Sequence, residues 1–190
     1  LETLPQIPGV TVRRRLAIGG MGELFLVDRT TGDGVTSTAV LKRLLPGADP
    51  AHQALFLREG DALAQLASPR IVRLLDRGPG WLLLEHVDGV DLATLLAQRA
   101  RRGRPLPLPA AMAALTGLAA ALADLHEAAG PDGAPLGLVH RDVNPANVLL
   151  TMGGAVKLID LGVVRTALTD AATVAGVKGT LAYMAPEQLH

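Results

Sequence analysis

The sequence predicts an α+β fold in two parts: an N-terminal antiparallel sheet carrying one helix, then a mostly helical C-terminal part. Three observations predict it. Strand-like runs separated by turn residues fill the first half, with a single amphipathic helix among them at about 50–67. A long alanine- and leucine-rich stretch, 109–129, has helical spacing. Finally, 190 residues of which 49% are hydrophobic suffice for one domain or two small lobes with a real core. The expected parts are residues 1–87 and 88–190.

Composition narrows the function. With 18 basic and 18 acidic residues there is no field to attract nucleic acid or an anionic membrane. Absence of cysteine excludes disulfides, thiolate zinc sites and thiol catalysis. The N-terminus, Leu1-Glu2-Thr3-Leu4-Pro5, has no secretory pattern, and a cytoplasmic location is expected by default. The longest uncharged run, Pro105 to Ala123, is alanine-rich and ends at Asp124, so it reads as a buried helix rather than a membrane segment. Four aromatics, Phe25, Phe56, Trp81 and Tyr183, leave a core built of Leu, Val and Ala.

Val10 to Arg15 and Glu23 to Thr30 read as strands joined by a glycine-rich tip, Leu16 to Gly22. Lacking Cβ atoms, such a tip lets backbone N–H groups approach phosphate oxygens; the same residues also suit a plain flexible turn. A third strand, Thr38 to Leu45, carries Lys42, one of three lysines in a chain that otherwise uses arginine. In the 50–67 helix, Phe56, Glu59, Leu63 and Leu66 share one face. Glu59 interrupts that apolar stripe and requires a cation there, for which Lys42 is the candidate; Arg58 or water is the alternative. Ser68-Pro69 closes the helix, because the residue before proline resists helical geometry.

Strands at Ile71 to Leu75 and Trp81 to His86 flank Gly78-Pro79-Gly80. A short helix over Asp91 to Arg99 precedes a basic loop, Arg99 to Arg104, that suits a solvated face and also acidic partners. On the long helix, Met112, Leu115, Ala119, Leu122, Leu125 and Ala129 align, with His126 beside them as a packing or capping residue. After a Gly/Pro loop at 130–137, Leu138 to Leu150 sets two apolar segments around His140, Arg141, Asp142 and Asn147. Such a polar loop is costly to hold unless it carries chemistry. A strand at Val156 to Ile159 then delivers Asp160-Leu161-Gly162, and a flexible Thr-containing segment, 163–178, precedes Gly179 to Glu187.

Taken in order, Gly19-Gly20-Met21-Gly22, Lys42, Glu59, His140-Arg141-Asp142 with Asn147, Asp160-Leu161-Gly162 and Ala185-Pro186-Glu187 resemble the motifs of eukaryotic-type protein serine/threonine kinases in their bacterial form. The resemblance covers essentially the whole chain. It implies a protein-kinase-like two-lobe fold, truncated after Ala-Pro-Glu, that transfers the γ-phosphate of ATP to Ser or Thr hydroxyls of protein substrates with Mg2+. By this resemblance Lys42 grips the α- and β-phosphates and pairs with Glu59, while Ala17, Gly19, Gly20 and Gly22 form the phosphate loop, Ala17 replacing its first glycine. Leu24, Val40, Leu84, Glu85, Val87 and Leu149 would surround the base, with Leu84 at the back of the pocket, Glu85 to Val87 as the hinge and Val40 where the family has Ala. Asp142 would take the acceptor's proton, and Asn147 and Asp160 would hold the metal. Arg141 would dock a phosphothreonine, Thr173 or Thr169, and Thr180 would shape the substrate site.

Asn144 stands where the family has a catalytic lysine. It can donate a hydrogen bond but brings no charge, at an expected cost of ~10²–10³ in rate. The loop also lacks the Arg that tyrosine kinases carry in this region. Asn144, Ala17 and the missing later helices motivate two alternatives: a non-catalytic kinase-like nucleotide-binding scaffold, or an inactive fragment of a longer kinase. The apolar underside of the long helix would then invite a partner, as a homodimer or from the missing C-terminal region.

Overall fold

The structure, a computed structural model, describes residues 6–19, 22–161 and 181–186. Its elements run β1 (Val10–Ile18), β2 (Gly22–Thr30), β3 (Thr36–Leu44), α1 (Pro50–Gln65), β4 (Leu74–Gly78), β5 (Trp81–Glu85), β6 (Gly89–Asp91), α2 (Leu92–Arg101), α3 (Leu108–His126), β7 (Val148–Thr151) and β8 (Val156–Leu158). Short 3-10 turns lie at Pro145–Asn147 and Leu181–Tyr183. The chain groups into two compact units, Leu1–Gly60 with Arg73–His86, and Asp61–Val72 with Val87–His190. Compared with the expected parts 1–87 and 88–190, the grouping differs chiefly in placing 61–72 with the second unit.

In the first unit five antiparallel strands are ordered β1-β2-β3-β5-β4. Strand alternation sends Phe25, Val27, Ala39, Leu41 and Leu83 into one buried cluster, covered by Ile7, Val10, Val12, Leu75 and Trp81. The intervening residues face the other way. On that second face the register sets Ala17 opposite Leu24, Leu24 opposite Lys42, Lys42 opposite Leu82, and Val40 opposite Leu84. Helix α1 comes close to β5 at Gly60, where a Cβ would lie 2.8 Å from Leu82 Cδ2. This explains a glycine in a helix interior, where it costs about 1 kcal/mol relative to alanine.

In the second unit β6-β7-β8 form a small antiparallel sheet. Ala121 of α3 packs with Val148, Val156 and Leu158, flanked by Leu92, Leu118, Leu122 and Leu150. Two expectations need correction here. The strand expected from Ile71 begins only at Leu74, because Ile71 and Val72 are drawn to β8 instead. Ile71 bridges Leu158, the Val72 N–H donates to Leu158 O at 2.9 Å, and the Leu158 N–H donates to Arg70 O at 2.7 Å. On α3 the buried residues are Ala114, Ala121 and Leu125, whereas Met112 and Leu115 are 54% and 58% exposed. Since almost every residue of this helix is apolar, periodicity alone does not choose its inward face; small residues that allow close approach do.

Gly117 shows how close that approach is. A Cβ there would sit 2.5 Å from Val156 Cγ2 and 2.7 Å from Val156 Cβ. Gly117→Ala is therefore expected to destabilise the chain by ~1–3 kcal/mol through overpacking, outweighing the ~1 kcal/mol gained in helix propensity. Urea denaturation would measure the sign. By length and hydropathy α3 also passes as a membrane span, and the buried helix expected from sequence is not what is found: only 17% of its apolar window is buried. It carries Asp124, which accepts hydrogen bonds from Ser68 Oγ and from Arg70 Nη1. The Ser68 hydrogen bond, reinforced by Arg70, holds this carboxyl below the ordinary carboxylate range. His126, placed beside the apolar stripe by sequence, is exposed in the last turn of α3.

Candidate active site

In the first unit Lys42 Nζ lies 2.7 Å from each oxygen of Glu59. Both side chains are desolvated, at 8% and 2% exposure. The pair follows from local geometry: Lys42 and Leu82 are register partners, and Gly60 brings α1 onto Leu82, so Glu59 arrives beside Lys42. Ala17, Leu24, Val40 and Leu84 share the Lys42 face. At the hairpin tip the Gly19 N–H donates to Gly22 O at 2.8 Å, while Gly20 lies outside the described residues. The Glu85 N–H donates to Arg73 O, and its carboxylate accepts from the Arg73 N–H, both at 2.9 Å. Val87 and Leu149 belong to the second unit.

Sequence reasoning missed a second ionic cluster, on the opposite sheet face. Glu23 and Arg43 are register partners, both largely buried, and Arg43 donates to the Glu23 carboxylate, which also accepts from Arg15 Nη1 at 3.1 Å. The Arg43 guanidinium lies 5.7 Å above the Phe25 ring. Hydrogen bonds from Arg43, then from Arg15, hold the Glu23 carboxyl below its ordinary range despite burial. The available signal was the same as for Glu59, single charges interrupting apolar strands.

In the second unit the polar loop converges on Asp142. Asn144 Nδ2 donates to Asp142 Oδ1 at 2.9 Å, and Asn147 Nδ2 donates to Asp142 Oδ2 at 3.0 Å and to its carbonyl at 2.9 Å. Asp142, Asn144, Asn147, Ala93 and Tyr183 line an open depression of about 390 Å³. The Ile159 N–H donates to Asn147 O at 2.9 Å, which brings the backbone just before Asp160 alongside Asn147. Leu161, next to Asp160, is fully buried. Gly162, Thr169, Thr173, Thr180 and Glu187 lie outside the described residues.

Two non-glycine residues among those described have left-handed backbones, Arg141 (φ 62°) and Asp160 (φ 56°). Each such conformation costs ~1–3 kcal/mol and persists only where surrounding contacts enforce it, a condition that favours functional positions. His140 is 1% exposed, and its Nδ1 accepts the Asp142 N–H at 3.3 Å. Burial pushes its imidazole pKa below the ordinary value, partly opposed by the charges of Asp142 and Asp160. The folded state thus binds this proton less well than the unfolded state does. Its stability contribution is complete above the ordinary imidazole pKa of about 6.5 and is lost as pH falls below it. The melting temperature should drop between pH 7 and pH 5, and drop less in His140→Asn, which keeps an acceptor for the Asp142 N–H.

Among the described residues no cluster of three or more His, Cys, Asp or Glu could hold a metal alone. Asn147 and Asp160 nevertheless suit a hard cation completed by ligand oxygens: with its amide nitrogen given to Asp142, Asn147 presents its oxygen end, and Asp160 adds a carboxylate. Lys42, anchored by Glu59, is a fixed cation suited to phosphate oxygens.

Comparison with known proteins agrees with these chemistries. The family model described as "Protein kinase domain" matches residues 11–190. Tyrosine-protein kinase MasK of Myxococcus xanthus is 37% identical over 191 residues, covering 97% of this chain and 29% of that protein. Serine/threonine-protein kinase PknF of Mycobacterium tuberculosis is 35% identical over 191 residues, covering 95% of this chain and 38% of that one. The probable serine/threonine-protein kinase SCO3848 of Streptomyces coelicolor is 34% identical over 184 residues, covering 91% and 25% respectively. The chain thus spans well under half the length of these curated relatives.

Proposed function

The chain belongs to the protein kinase family, and on that premise we propose that it is a protein serine/threonine kinase using ATP and Mg2+. The observation that carries the reading is Asp142, whose carboxylate is held by two amide donors at the wall of an open depression. A carboxylate so placed orients an acceptor hydroxyl and takes its proton. Lys42, fixed by Glu59, would bind phosphate oxygens; the glycine-rich sequence of the 19–22 tip suits close approach of phosphate; Ala17, Leu24, Val40 and Leu84 would form the apolar face beside the base. Asn147 and Asp160 would hold the metal, which neutralises phosphate charge when bound. ATP supplies the γ-phosphoryl group: its bond to the β-phosphate oxygen breaks, the electron pair leaving with ADP, as the acceptor oxygen bonds to phosphorus.

Serine and threonine are the proposed acceptors because the loop after Asp142 reads Val-Asn-Pro-Ala-Asn, without the arginine of the tyrosine enzymes. Likeness to a protein named as a tyrosine kinase favours a second reading in which tyrosine is the acceptor. Incubation with labelled ATP and Mg2+, then acid hydrolysis and separation of phosphoamino acids, decides between them. Label on phosphoserine or phosphothreonine supports the first reading, and label on phosphotyrosine alone supports the second. No label, together with a thermal shift on adding ATP, would indicate a nucleotide-binding scaffold.

A further inference from the structure

Residue 144 lies at a junction of two hydrogen-bonding demands. Its backbone is extended (φ −145°, ψ 162°), and its Oδ1 accepts the Ala146 N–H at 2.9 Å, capping the 3-10 turn at Pro145–Asn147. A backbone N–H only donates, so that bond identifies the oxygen end of the side chain. The nitrogen end is thereby turned to Asp142, 2.9 Å from Oδ1 and 3.3 Å from the carbonyl oxygen.

Capping does not by itself select asparagine, since Ser, Asp and Asn cap about equally well. What asparagine adds is an amide donor on the opposite side from its capping oxygen. Asn147 supplies the matching donor to Asp142 Oδ2. One donor would leave the carboxylate free to turn about its last bond; two donors, one on each oxygen, fix its plane.

We infer that Asn144 is a positioning residue, holding the Asp142 carboxylate in its reactive orientation through its amide donor while its oxygen caps the following turn. The inference rests on the kinase reading above. It gives the chain by geometry part of what a lysine at this position would supply through charge: Asp142 is aimed, whereas charge on the transferring group is not offset from residue 144.

Asn144→Asp and Asn144→Ser test this, because both preserve a good cap and neither has the amide donor. If Asn144 aims Asp142, kcat falls by about tenfold or more in Asn144→Asp, which sets a second carboxylate against Asp142, and less in Asn144→Ser. KM for ATP and the melting temperature should stay near wild type. Unchanged kcat in both variants would reduce Asn144 to a cap and overturn the inference. Asp142→Asn run in parallel isolates the kinase reading, which fails if that variant transfers phosphate as well as wild type. A readout independent of activity is the NMR signal of the Asn144 side-chain amide. It should shift and exchange faster with water in Asp142→Ala, and an unmoved signal would overturn the inference even in a chain that transfers no phosphate.

Discussion

Asp142→Asn is expected to lower phosphate transfer by ~10²–10⁴-fold, the usual contribution of a positioned proton acceptor. Two effects act together. The substituted amide is a far weaker base, and one of its ends presents N–H hydrogens to a neighbour that is itself donating, Asn144 or Asn147. The carboxylate is only half-buried, so water can relieve that conflict and the melting temperature should change little. Initial rates with labelled ATP, measured beside thermal melting, separate the outcomes. Transfer retained at the wild-type rate would remove Asp142 from the chemistry, and a collapse in melting temperature would show that the loop depends on the carboxylate for its fold.

Glu59→Ala is expected to cost ~3–5 kcal/mol of stability, because it removes the carboxylate paired with the desolvated Lys42 ammonium. Removing both charges is a different experiment. A Lys42→Met, Glu59→Leu double substitution replaces the ion pair by apolar side chains of similar size, and should recover most of the lost stability. Activity should not return with it, since no fixed cation remains for phosphate oxygens. Urea unfolding of wild type, single and double variants gives the first quantity and phosphate transfer the second. If Glu59→Ala unfolds like wild type, the pair is solvated and its placement of Lys42 is not enforced by burial.

Much of the candidate site was legible because costly residues announce themselves locally. Glu59 stood out as a charge within the Phe56–Leu63 stripe, and the structure pairs it with the lysine that the neighbouring strand offered. Asp142, Asn144 and Asn147 fall within six consecutive residues, so a single loop must bring them together. Val40 shares the Lys42 face by strand alternation, a property of spacing alone, and the strand register adds Leu24 and Leu84. The Glu23–Arg43 pair carried the same kind of signal, charges within apolar strands, on the sheet face opposite Lys42.

Sequence by itself determined the order of the main elements, the inward face of α1, and the residue types available to the chemistry. These depend on neighbours a few positions away, where periodicity and the cost of burying a charge speak directly. Only the tertiary structure decided that Ile71 and Val72 turn to β8, that Ala114, Ala121 and Gly117 rather than Met112 and Leu115 face inward on α3, and that Asn144 both caps a turn and clamps a carboxylate. In each case several local choices had nearly equal energy. Contacts from far along the chain, the β8 edge and a close-fitting valine, broke the tie for the first two, and the folded shape of the loop broke it for Asn144.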